Sequence, residues 1–384
     1  MSAAADPSEY LSAELQRLDL LLHREILRLR AIYQLSLDEF RGLYISDEQV
    51  DQLIDRSLKY EGGTSATAEL TQRAEALRRS IEEGDRREGS PWSRLIREFS
   101  LSPAEQDILL LAVAPEIHLK YETLYAYLNN DVTRKLPTCD LALRLFSQNA
   151  ERTASVRRSL VSDAILFSGG LLQWNHLMTE RPSWLASSFS VSPAVMHYLS
   201  DIRSLDPPVT SFAELRRPAA GWGEVPVTTR QGKALRRFAE LLSSPLTNRP
   251  TPVVILAGHE GTGRALAAEA ICCELNLTML CVDLESLRAA SDNLIRLSEV
   301  ILSQLRLQNA ALYLERCEAL FDKEGEPLPD GRRFLKPFVE DDRLVLLACG
   351  PNTRWRELFS RRRVAYFHLA DPDYSTRLRL WERA

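Results

Sequence analysis

Residues 252–268, PVVILAGHEGTGRALAA, decide how this chain is read. An aliphatic, β-branched run (Val253, Val254, Ile255, Leu256) stops at Gly258, glycines return at Gly261 and Gly263, and a segment rich in alanine and leucine follows. Strand, glycine loop, helix is the order that a phosphate-binding loop requires. Laid on G-x-x-x-x-G-K-[ST], the spacing gives Gly258, Gly263, Arg264 and Ala265. The glycines let backbone N–H groups turn towards a phosphate at a helix N-terminus, where the peptide dipoles favour an anion. Gly258, Gly261, Thr262, Gly263, Arg264 and Ala265 are therefore the expected nucleotide cradle, with ATP or ADP held weakly. Arg264 keeps the charge of the motif's lysine on a wider, planar head. Ala265 offers no hydroxyl to Mg²⁺, so the metal is not well seated.

Working outward, strand-like runs recur at 278–283, 310–315, 344–349 and 364–369, which with 253–257 makes five. Helical patterns separate them, including 293–305, and the economical fold is a parallel sheet flanked by helices. Upstream of the loop, helix 231–242 is preceded by a stretch, 204–226, that gathers Pro207, Pro208, Pro218, Gly221 and Gly223 and reads as a linker.

The first half is helical. Leu11, Leu15, Leu18, Leu22, Leu29 and Ile32 form one stripe, broken at Glu25, that suits a helix packing on its own domain better than a coiled-coil seam of about three heptads. Helices over 46–59 and 66–83 follow, then a charged linker over 84–91. Ser102-Pro103-Ala104-Glu105 is a capping box opening an apolar helix through Ala114. Residues 121–128 supply a second helix, and Thr138 caps a third through Phe146. Ala164–Phe167 and Leu171–Trp174 then read as two strands around Gly169-Gly170. Three helices and a hairpin make a winged-helix pattern. Arg134, Lys135, Arg144, Arg152, Arg157 and Arg158 give its third helix and the residues around it a mild basic bias, but 140–146 is mostly apolar, which favours protein contact over base reading.

The chain of 384 residues has 45% hydrophobic and 26% charged residues, as an ordinary globular protein does, and its net charge of −5 predicts no general attraction to nucleic acid or anionic lipid. MSAAADPSEY has neither a basic n-region nor an apolar h-region, and the longest tight apolar run, 108–114, is too short to span a bilayer. The expected location is the cytoplasm. Six cysteines show no C-x-x-C and no paired histidine spacing, so they read as buried, reduced thiols and no metal site is expected.

These segments resemble the AAA family of P-loop ATPases and, more closely, a bacterial group in which a winged-helix domain precedes AAA modules, some associated with contractile injection systems. The resemblance rests on LDLLLHREILRLR, LSPAEQDILLLAVAPE and LPTCDLALRLF in the first half, and on AGHEGTGRALAAE, ALYLERCEALF and LACGPNTRWRELFSRRR in the second. It implies four regions: N-terminal helices over 1–90, a winged helix over 91–203, a linker over 204–226, and over 227–384 an AAA core with a five-stranded parallel sheet. In that family the third strand ends in an aspartate that holds the Mg²⁺ shell and a glutamate that activates water. Glu315 and Arg316 stand at those positions here, and a guanidinium cannot take water's proton. Asn352 corresponds to the sensor asparagine, and Arg361, Arg362 and Arg363 fall where the family carries its arginine finger. Residues 284–293 hold no aromatic for a threading loop. Asp371-Pro372-Asp373 and Arg377 resemble the start of the helical lid; members of the group continue into that lid and a second AAA module, so 227–384 is expected to be a core lacking its lid, a fragment or the product of a shortened gene.

Losing one preorganised electrostatic element of a phosphoryl-transfer site commonly costs on the order of 3 kcal/mol, and three are altered together here. The sequence therefore predicts a catalytically degenerate AAA-type module, a scaffold or regulatory protein-interaction subunit. Its partners are proteins met through the helical and winged-helix regions, in a homo-oligomer or in a ring with an active AAA module, with neither nucleic acid nor membrane among them. Two alternatives stand beside it. One is an active ATPase in which Glu318 activates water. The other is a winged-helix DNA regulator relying on Arg144.

Overall fold

The computed structural model describes residues 7–32, 65–88, 90–175, 183–200, 202, 205, 209–243, 251–290, 293–351, 353–359, 362–372 and 374–381. The helix expected over 46–59 lies outside them. The chain divides into two compact units, 1–202 and 203–384, each taken by itself below.

In the first unit, α1 (Pro7–Ile32) packs chiefly on α2 (Ser65–Glu88), and α3 (Pro91–Glu98) leads into the apolar α4 (Pro103–Ile117). The stripe on α1 faces its own domain, with Leu18, Leu21, Leu22 and Leu29 buried. Glu25 does not break that stripe. It is 1% exposed and sits within it, neutralised by Arg28 at 2.8 Å and Arg144 at 3.0 Å. The capping box of α4 forms as expected, Glu105 N donating to Ser102 Oγ at 3.4 Å and Ser102 N to Glu105 Oε2 at 2.7 Å. Beyond α5 (Lys120–Leu128), α6 (Cys139–Phe146) starts at Thr138, whose Oγ1 accepts from Leu141 N at 3.1 Å.

Two further expectations fail in this unit. A further helix, α7 (Ala150–Ser159), stands where none was read, capped by Asn149 through its 2.8 Å bond from Arg152 N. It escapes a search for apolar periodicity because only Val156 and Ser159 are buried on it. The expected strand 164–167 is instead a helical turn, α8 (Ile165–Ser168). Gly169 N bonds Ile165 O at 2.9 Å and Gly170 takes φ +67°, so the glycine pair ends a helix rather than turning a hairpin. The strand that does form, β1 (Leu172–Asn175), pairs antiparallel with β2 (Ser188–Val191), Leu172 opposite Val191 and Asn175 opposite Ser188. Ser188 also bridges to Thr138, and α9 (Pro193–Leu199) follows.

The second unit is built on a six-stranded sheet. Its strands are β3 (Ala213–Arg216), β4 (Val253–Ala257), β5 (Thr278–Asp283), β6 (Ala310–Glu315), β7 (Val345–Cys349) and β8 (Val364–His368), in the order β3-β5-β6-β7-β4-β8. All the pairs are parallel except β3 with β5. β3 was not expected; it lies within the stretch read as a linker. Prolines and glycines mark that stretch as loop, yet Val209, Phe212 and Ala213 are buried, and Asp283 N bonds Phe212 O at 2.9 Å, which fixes the added strand on the edge of β5.

Strand alternation divides the core in two. Ile255, Leu280, Leu312, Leu314 and Leu347 point to one face, against α13 (Leu294–Gln308) and α14 (Pro329–Glu340). Val254, Leu256, Met279, Tyr313 and Leu346 point to the other, against α10 (Thr229–Ser243) and α11 (Arg264–Glu274). The short α12 (Leu284–Ala290) follows β5, and α15 (Tyr374–Trp381) follows β8. Each strand buried on both faces reads as a continuous apolar run, which is why the sequence exposes β4, β5, β6 and β7; β8, at the sheet edge, is only partly buried.

Candidate functional site

The glycine loop lies at the carboxyl end of β4, where open α/β sheets place their ligand crevice. As β4 ends, Gly258 N bonds Cys349 O at 3.1 Å and Leu369 N bonds Ala257 O at 2.7 Å, which ties the loop to both neighbouring strands. A Cβ at Gly258 would lie 2.6 Å from Leu369 O and 2.7 Å from Thr262 Oγ1, so only glycine fits. Thr262 is buried and its hydroxyl donates to His259 O at 2.8 Å, fastening the loop upon itself. Gly263 stands at the head of α11 with φ +82°, and a Cβ there would meet Pro226 Cγ and Cδ at 2.3 Å. Pro226 was not anticipated as a neighbour of the loop. Val225 and Val227, on either side of it, line a cavity of about 270 Å³ together with Trp222, Lys233 and Thr376.

Arg264, the first residue of α11, directs Nη1 at Glu318 Oε1, 3.4 Å away. Ala265 packs against the apolar cluster between sheet and helix, leaving no oxygen for a cation. Glu315 ends β6 in register with Asp283 of β5. Arg316 follows in the left-handed region, φ +52° and ψ +48°, and its guanidinium bonds Asp283 and lies 3.1 Å from Glu285 Oε2. Because β7 separates β6 from β4, these carboxylates sit on the side of β6 away from the glycine loop. Arg316 is thus turned along the sheet, and the carboxylate beside Arg264 is Glu318, in the 3₁₀ turn Cys317–Leu320.

The remaining candidates fare differently. Asn352 and Arg361 lie outside the described residues. Arg362 is not free to act as a finger. It is 9% exposed and its guanidinium donates to Thr251 O and Phe338 O, each at 2.7 Å, and to Arg343 O. Burial pulls its pKa below the ordinary arginine value. Arg363 is exposed. Cys317 and Cys349, buried at the ends of β6 and β7, are inert thiols: burial raises both, Cys349 to about 11.

Fitted against magnesium and a nucleotide, the donor set divides. The backbone at the head of α11 suits a phosphate and Arg264 can follow it, but Ala265 brings no hydroxyl to a metal and Arg316, after β6, is turned to Asp283. Among the described residues no group of three or more His, Cys, Asp or Glu side chains is placed to hold a metal ion, and no helix is long and apolar enough to cross a membrane.

Of the six basic residues expected to mark the winged helix, four are paired with carboxylates. Arg144 is turned inward to Glu25, to Asp140 at 2.8 Å and to Leu128 O at 2.8 Å. Arg152 bonds the buried Asp107, Lys135 lies 3.4 Å from Glu122 and Arg134 3.2 Å from Asp131. Arg157 and Arg158 are exposed, Arg157 with its guanidinium carbon 5.8 Å from the centroid of the Trp184 ring.

Comparison with solved structures returns the crystal structure of the FIGL-1 AAA domain, at 19% identity and a TM-score of 0.35, covering 47% of this chain and 66% of that one. The chain thus spans slightly less than two thirds of that domain's length. No curated protein matches. The profile of the family described as "Winged helix domain, variant" matches residues 2–213, and with more than half of its length so matched the chain belongs to that winged-helix family.

Proposed function

We propose that this protein is a scaffold or regulatory subunit in which a winged-helix unit docks protein partners and a P-loop-type unit binds nucleotide weakly without hydrolysing it. The observation that carries this reading is Arg316. Where water activation needs a carboxylate, a permanent cation follows the third parallel strand and is neutralised by Asp283 and Glu285, on the side away from the loop. Ala265 supports it from the metal side, and the inward pairing of Arg144 and Arg152 supports protein over DNA as the partner of the winged-helix unit. In this reading the work is cytoplasmic, and the assembly is a homo-oligomer or a ring that includes an active AAA-type module.

Titration calorimetry with ATP, with and without Mg²⁺, beside a phosphate-release assay tests it. Weak binding indifferent to Mg²⁺ and no release are expected; steady turnover abolished by Gly263→Val overturns the proposal. Glu318 favours a second reading as an unorthodox ATPase, since it is the carboxylate that reaches Arg264 and it is half exposed. That reading requires turnover lost in Glu318→Gln, and an assembled oligomer without turnover ends it.

A further inference from the structure

The first unit holds a second polar cavity, of about 230 Å³, lined by Arg17 of α1, Glu75 and Arg78 of α2, Asp107 of α4, and Asn149 and Arg152 at the start of α7. Three guanidinium groups converge there on one buried carboxylate. Arg17 Nη2 lies 2.7 Å from Asp107 Oδ1, Arg78 Nη1 lies 3.3 Å from Oδ2, and Arg152 Nη2 bonds Oδ2 as well. Asp107 and Arg17 are each less than a tenth exposed. Glu14 and Glu82 take the Nε edges of Arg17 and Arg78, at 2.7 and 3.1 Å. Burial opposes the charge on Arg17, but Asp107 and Glu14 more than offset it and keep the group protonated above its ordinary value.

A guanidinium carries five N–H donors, and this cluster has more donors than acceptors. Among the described residues no acceptor meets Nη1 of Arg17, or Nε and Nη1 of Arg152, although both side chains line the cavity. The lining carries three positive charges against two negative ones, while Glu14 and Glu82 stand behind Arg17 and Arg78, so it is the open N–H donors rather than net charge that favour an anion. Arg152 itself stands in the first turn of α7, at the positive end of that helix's dipole, with its own N–H bonded to Asn149 Oδ1 and Glu151 beside it. We infer that this cavity binds a tetrahedral oxyanion of the phosphate class, bridging Arg17 and Arg152. Planar guanidinium forks match such an anion through paired N–H···O bonds, which ammonium and hydroxyl groups cannot reproduce. The site is separate from the glycine loop and belongs to the winged-helix unit.

The test is calorimetric titration of the full chain with inorganic phosphate at constant ionic strength, with chloride as the control, on the parent, Arg152→Ala, Arg152→Lys and Arg264→Ala proteins. Saturable binding is expected to weaken about tenfold or more in Arg152→Ala and less in Arg152→Lys, as loss of a charge-assisted fork implies. Arg264→Ala should keep this binding. In a crystal soaked with selenate, anomalous density should fall between Arg17 and Arg152. Heat signals no greater than with chloride, affinity unchanged in Arg152→Ala and Arg152→Lys, or density scattered over surface positions would identify an adventitious ion only and overturn the inference. Binding lost in Arg264→Ala alone would assign the anion to the glycine loop, which refutes this site while leaving the proposed function standing.

Discussion

The two units use the same pairing of arginine with carboxylate to opposite ends. In the first, Asp107 and Glu25 are almost wholly buried and each is held by more than one arginine, so that α1, α2, α4, α6 and α7 are pinned together by charge as well as by leucine. At the mouth of the second, Arg264 with Glu318 and Arg316 with Glu285 are pairs whose carboxylates stay about half exposed or more. Removing one partner of a buried pair costs about 3–5 kcal/mol because the charge left behind has no water, whereas exposed pairs are worth about 0–1 kcal/mol. The first set therefore belongs to the fold, and in the second it is Arg264 with Glu318, at the glycine loop, that is free to rearrange around a ligand.

Four substitutions put that contrast under strain. Asp107→Ala strands three guanidinium groups and should lower unfolding stability by about 3–5 kcal/mol in urea titration; a loss below 1 kcal/mol would mean that the cavity hydrates them and that the network is not structural. Gly263→Val forces a β-branched residue into the left-handed region against Pro226, and about 3 kcal/mol of lost stability is expected, with nucleotide binding lost as well. Arg362→Met removes the guanidinium from one buried and two partly buried carbonyls and should cost about 2 kcal/mol, measured as a lower midpoint in thermal unfolding. A variant as stable as the parent but defective in stimulating a ring partner would restore Arg362 as a finger. Smallest of all, Glu318→Gln should change stability by less than about 0.5 kcal/mol, since the carboxylate is half exposed, and should leave phosphate release at background.

Much of the second unit was legible because its chemistry is repetitive. Doubly buried strands are unbroken aliphatic runs, and a loop that cannot tolerate a Cβ at Gly258 must announce itself as glycine. The failures share a cause as well. Helix 150–159 buries little apolar surface and is held by its cap and by Arg152, so hydrophobic period carries no trace of it. Glu25 looked like a break in a stripe because no sequence pattern shows that Arg144, 119 positions later, will neutralise it. Gly169-Gly170 serves equally to end a helix or to turn a hairpin, and here Gly169 N closes back on Ile165 O, which the residue types alone do not dictate. At the candidate site the residue types could be read and their aim could not. Arg316 points along the sheet rather than into the loop, and Arg362 points into the core.

The short antiparallel strand Ala213–Arg216 has a practical bearing on how the second unit is isolated. It closes the flank of Thr278–Asp283, whose amide and carbonyl groups would otherwise stand open to any extended chain. A fragment cut at residue 227, where the helices and the glycine loop suggest a natural start, discards that cover and should self-associate. One beginning near residue 203 keeps it and should remain monodisperse.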